Sequence, residues 1–212
     1  VSLTLPAPRP VKPALLPLVL VCVCVLATMI TWAFRSMRAV MAVGGSCADG
    51  GPYVSAQPCP DGAWMIGVAI PVSLLACIIG TGIAMAAGAR ELFSLLWGGL
   101  FGALGWNFID SGIRGSGGDK IGGYLLGGMF WLMALPAVLF FLGLPSIKAA
   151  VRARRPQPAP TDLETLKLAA AGVRPPSAAS AVLRDYSFLL VYLVVGAAGV
   201  WLGWWSWGEI VG

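Results

Sequence analysis

Polar residues in this chain are pushed into the gaps between five long apolar runs, at 13–34, 64–88, 92–109, 121–144 and 186–210. None of the runs carries a charged residue in its middle. An α-helix rises 1.5 Å per residue, so about 20 apolar residues cross the roughly 30 Å hydrocarbon core of a bilayer. Each run is long enough, and the pattern predicts an all-α, polytopic membrane protein with five transmembrane helices. The first run follows Arg9 and Lys12, as a secretory signal would, but signal apolar regions are only about 7–15 residues long. It therefore reads as an uncleaved span. Pro71 and Pro136 fall inside runs, where a membrane helix tolerates them as kinks.

The gaps set the boundaries. A Pro-rich tail occupies 1–12, and transmembrane helices 1–4 occupy 13–144. Arg35 and Arg38 mark the predicted exit of the first span, before a loop at 39–63 that holds Cys47 and Cys59. Ala89-Arg90-Glu91 makes a short turn, Asp110-Ser111-Gly112 marks the exit of the third span, and 111–120 is a glycine-rich loop. The one substantial polar segment is 145–185. Arg152, Arg154 and Arg155 lead there into a proline-rich linker. Thr161 and Glu164 then have capping-box spacing, predicting a helix over 162–171 that ends before Pro175 and Pro176. The fifth span follows within 186–212.

Composition agrees with the pattern. The chain is 58% hydrophobic and only 11% charged, against about 25% charged in a soluble domain. Its mean hydropathy is +0.84. Histidine is absent, which removes the commonest general base and metal ligand. The net charge of +5 does not imply nucleic acid, because its distribution follows the positive-inside rule. With five spans, ten of the 14 Lys and Arg residues lie in the tail, the 89–91 turn and the 145–185 loop; Arg35, Arg38, Arg114 and Lys120 lie on the other side. This predicts a cytoplasmic N-terminus and an external C-terminus. Arg35 and Arg38 fit least well, and the aliphatic stem of Arg35 is expected to snorkel to the headgroups.

That orientation exports Cys47 and Cys59 to the oxidising side, where they are expected to form a disulfide. The alternative is a redox pair, which usually needs a second pair and often a Cys-x-x-Cys with a tuned thiolate. Cys22 and Cys24 point to different sides of the first helix and read as small apolar fillers. Small residues at i,i+4 let helices approach closely. They recur at Gly98 and Gly102, Gly123 and Gly127, and Gly199 and Gly203. Packing within one bundle is the expectation, and self-association the alternative. Trp201, Trp204, Trp205 and Trp207 read as an interfacial aromatic belt. Asn107 and Asp110 read as interfacial groups, with Arg114 the natural partner of Asp110. Ionisable groups buried in the spans would mark a coupled transporter, and there are none. No nucleotide fingerprint, nucleophile elbow or metal cluster is present. No catalytic residue, cofactor or metal ligand is therefore expected.

The external loop, with Gly45-Ser46-Cys47-Ala48, Gly51-Pro52-Tyr53-Val54 and Cys59-Pro60, resembles a pattern in small integral membrane proteins of high-GC actinobacteria, the streptomycete kind especially. The resemblance implies a plasma-membrane location and no particular chemistry. The functional expectation is a non-enzymatic protein acting through contacts, an accessory or assembly subunit whose partners are the bilayer and another membrane protein or a second copy of itself. A small permease or channel for a neutral solute is the alternative, and a membrane thiol oxidoreductase the third class.

Overall fold

The computed structural model describes residues 12–45, 47, 58–89, 92–114, 118–142 and 178–211. They form five α-helices: α1 (Leu16–Ala42), α2 (Met65–Ala87), α3 (Phe93–Arg114), α4 (Gly118–Leu142) and α5 (Ala178–Val211). The predicted helix at 162–171 lies outside the described residues, as do residues 145–177 of the predicted 145–185 loop. By length and composition, Pro13–Ala42, Met65–Ala87, Lys120–Phe141 and Tyr186–Val211 can each cross a membrane. The chain is thus an all-α, multi-pass membrane protein with at least four such helices. α3, diluted by glycines, Asn107 and Asp110, is less apolar than these.

The surface is inside-out relative to a soluble protein. Ile78, Leu125, Leu132 and Trp201 are each about two-thirds exposed in the isolated chain. Such a surface suits an apolar surrounding rather than water. Conversely, a helix-spaced stripe of Val19, Val23 and Leu26 on α1 is buried. It packs with Ala84 and Ala87 of α2 and with Leu92, Leu96 and Cys77 in two adjoining clusters.

α1 is the hub. It packs against α2, α3 and α5, whereas the main partner of α4 is α3 and that of α5 is α1. α1, α3 and α5 run parallel: Thr31 meets Gly203, Ile30 meets Gly99 and Phe34 meets Asn107. α2 and α4 run the opposite way, with Cys22 against Gly80 and Val138 against Gly98. One end of the bundle gathers Lys12, whose N–H donates to the Ala87 carbonyl at 3.0 Å. The other gathers the last turns of α1, α3 and α5.

Four predicted boundaries move. α1 does not end at residue 34 but runs through Arg35 and Arg38 to Ala42. Arg, Met and Ala are good helix formers, and nothing stops the helix until Gly44 and Gly45, whose φ values of +101° and +83° lie in the left-handed region. α3 continues past Asp110 to Arg114, and α4 begins at Gly118, so most of the predicted 111–120 loop is helical. α5 begins at Ala178 rather than 186. The second span needs almost no adjustment, because Gly88 at φ +71° supplies a left-handed C-terminal stop. Pro71 and Pro136 both sit inside continuous helices.

Candidate functional site at the arginine end of the bundle

Two glycine seams attach the outlying helices. On α4, a Cβ at Gly123 would lie 2.7 Å from the Cα and N of Gly112 and 2.8 Å from the Phe108 carbonyl oxygen. One at Gly127 would lie 2.8 Å from the Gly105 carbonyl oxygen. On α5, a Cβ at Gly199 would lie 2.5 Å from the Cys24 carbonyl oxygen, and at Gly203 2.9 Å from that of Thr28. The Thr28 hydroxyl adds a bifurcated hydrogen bond across the second seam, to the carbonyls of Cys24 at 2.9 Å and Gly199 at 3.0 Å. Four of the six glycines singled out by spacing are therefore packed against a neighbouring helix. Gly98 makes only a side-chain approach, to Val138 at 3.3 Å, and Gly102 has open space where its Cβ would be. On α3 the residues that meet Gly123 and Gly127 are Gly105 and Gly112 instead.

The seams bring polar side chains together where α1, α3 and α5 end. The Arg35 guanidinium lies 4.2 Å from the centroid of Trp204 and 5.6 Å from that of Trp207, a cation–π arrangement. Arg35 therefore rests on α5 aromatics rather than reaching away to headgroups. Trp207 is buried, and its ring tip packs under Gly62, so it is not part of a lipid-facing belt. Trp201 and Trp205 are both exposed, as a belt requires, and they stack at 6.5 Å. Trp32 Nε1 donates to Ser206 Oγ at 2.9 Å, and buried Ser36 Oγ donates to the Gly62 carbonyl at 2.9 Å.

Cys47 and Cys59 sit at disulfide distance, their Cα atoms 4.8 Å apart. Loop residues 48–57, which carry most of the actinobacterial-type pattern, lie outside the described residues. Cys47 and Cys59 line a cavity of about 510 Å³ with Val40, Trp64 and Val211. As the opposed directions of Cys22 and Cys24 require, Cys22 lies where α1 crosses Gly80 of α2, while the Cys24 backbone takes the α5 crossing.

On the other flank of α1, Asp110 accepts from the guanidinium of Arg114 one turn below it and from that of Arg38 on α1. The sequence offered the first pairing, since it is an i,i+4 contact, but carried no local sign of the second, 72 residues away. Asn107 Nδ2 donates to the Phe34 carbonyl at 3.2 Å, a second tie between α1 and α3. Its Oδ1 is buried without a hydrogen-bond partner. Comparison with protein families, with curated proteins and with solved structures finds no match to this chain. What the arrangement can do must be read from its own groups. Among the described residues, no three His, Cys, Asp or Glu side chains gather at metal-binding distance.

The shared carboxylate makes a graded prediction. Asp110→Asn leaves two guanidiniums facing each other across a neutral amide, and should lower stability by about 1–2 kcal/mol. Arg114→Gln, at the more exposed i,i+4 pair, should cost less than about 0.5 kcal/mol. Thermal unfolding in one detergent, comparing the two variants with the parent, reads the order.

Proposed function

We propose that the chain is a five-span plasma-membrane protein, N-terminus cytoplasmic and C-terminus external, that acts without catalysis as an accessory or assembly subunit of a membrane complex. The alternation of helix direction supports five crossings, with α1, α3 and α5 pointing one way and α2 and α4 the other. The bias of Lys and Arg toward the tail, the 89–91 turn and the 145–185 loop supports the orientation. It places Cys47 and Cys59 on the oxidising side. The resemblance of the external loop to actinobacterial membrane proteins favours the plasma membrane.

The observation that carries the functional reading is how little of α4 and α5 the chain itself covers. Each is held chiefly through a single seam, and Ile121, Leu125, Leu132 and Leu139 on α4 face outward. The buried hydroxyls of Thr31, Ser36 and Ser73 are spent on backbone carbonyls, so they do not form a polar lane for a solute. Extraction from native membranes in a mild detergent, followed by mass spectrometry of the proteins retained at fixed ratio, tests the proposal. A stoichiometric membrane partner is expected. Recovery alone or as a homo-oligomer would overturn it in favour of the neutral-solute permease, which solute flux into liposomes would then measure.

A further inference from the structure

The Arg38–Asp110–Arg114 group is built with more donors than it uses. Each guanidinium presents five N–H groups, and Asp110 Oδ2 takes one Nη2 from each arginine. Two arginines against one carboxylate leave a net positive charge. They open onto a recess of about 360 Å³ lined also by Met41, Asn107 and Ser111. The recess sits near the C-terminal ends of α1 and α3, and the ends of membrane-spanning helices are where headgroups are met.

Asn107 adds a second and independent requirement. It is 3% exposed, and its amide is oriented by the bond from Nδ2 to the Phe34 carbonyl. Oδ1 is thereby left as a buried acceptor with no donor, an arrangement that is unfavourable unless something supplies one. Asn107 lines both the charged recess and an apolar cavity of about 90 Å³ bounded by Ile30, Met37, Ile70 and Leu104. The Asn107 side chain thus borders both the polar recess and the apolar cavity.

We propose that this recess binds an anionic phospholipid whose headgroup carries a free hydroxyl, of the phosphatidylglycerol type. The phosphodiester lies across Arg38 and Arg114, for which the planar fork of a guanidinium is the matched donor. The headgroup hydroxyl donates to Asn107 Oδ1. Phosphatidylcholine brings a trimethylammonium, which has no N–H to donate, toward two arginines, and an anionic lipid without a hydroxyl leaves Asn107 unanswered. The site goes beyond the accessory-subunit reading and does not depend on it, because it needs no protein partner.

Native mass spectrometry of the full chain in detergent, titrated with single lipids, tests this. Three lipids separate the terms: phosphatidylglycerol, phosphatidylethanol (a diester anion with no headgroup hydroxyl) and phosphatidylcholine. Phosphatidylglycerol should be retained about tenfold over phosphatidylcholine and a few-fold over phosphatidylethanol. Arg38→Gln/Arg114→Gln should bring the first ratio near unity. Asn107→Leu should abolish the second while leaving the first. Equal retention of phosphatidylglycerol and phosphatidylcholine by the parent chain would overturn the proposal whatever the variants do. So would displacement of bound lipid by millimolar inorganic phosphate, which would make this a site for a soluble anion.

Discussion

Replacing Gly123 with leucine should detach α4 from α3, while the same change at Gly122 should be nearly silent. A Cβ at 123 would meet only backbone, the Cα and N of Gly112 at 2.7 Å and the Phe108 carbonyl oxygen at 2.8 Å. Backbone cannot rotate out of the way as a side chain can, so the helices must separate. Separation forfeits the packing along the whole seam, including the stacked pairs Phe108–Phe130 and Trp106–Trp131. At Gly122 nothing lies within 4 Å, and a leucine there would face lipid. The expected loss at 123 is about 3 kcal/mol, which for a chain of this size lowers the melting temperature by about 6–12 °C. At 122 the shift should stay within about 1 °C. α5 repeats the experiment, with Gly199→Leu destabilising and Gly196→Leu tolerated, since a Cβ at 196 meets nothing. Thermal unfolding of the four variants in one detergent settles it. Equal losses at 122 and 123 would mean that the seam is not where α3 and α4 meet.

The same glycines show what a linear sequence can and cannot carry. Spacing alone revealed that α4 and α5 possess close-approach faces, because a helix presents i and i+4 on one side whatever its partner. It could not reveal the partner's phase. α3 holds glycines at 98, 99, 102, 105 and 112, and only the crossing geometry selects 105 and 112 over 98 and 102. The centres of the spans were legible because lipid imposes apolar composition over a fixed length. Their ends were less so, since a charged residue can end a helix or sit within it a turn or two before it stops. Arg35 and Arg38 do the latter: one lies on Trp204 and Trp207, the other on Asp110. Those contacts span more than 70 residues and leave no trace in local pattern. Asn107 is similar. Its position at a span exit was visible, but its burial and unanswered oxygen exist only once α1 lies beside α3.

Breaking the Cys47–Cys59 link should have the second large effect, and it also tests which way the chain is threaded. A crosslink closing a loop of this length restricts the unfolded chain by about 3 kcal/mol in the chain-entropy model. Here it also fixes residues 58–63, which the bundle uses directly: the Gly62 carbonyl accepts from buried Ser36, and Gly62 itself packs on Trp207. Cys47→Ser/Cys59→Ser should therefore lower the melting temperature by about 6–12 °C and expose Trp207, read as a shift in tryptophan fluorescence. On intact cells, an impermeant thiol reagent should label the two cysteines only after mild reduction. Labelling without reductant would show that the pair is open and remove the staple. Failure to label after reduction would mean either that the loop is cytoplasmic, reversing the proposed orientation, or that it is shielded from the reagent. The doubly substituted chain also separates structure from chemistry. If it keeps its partner while losing only stability, the link is a staple; if a thiol-oxidising activity of the parent disappears with it, the pair is a reaction centre.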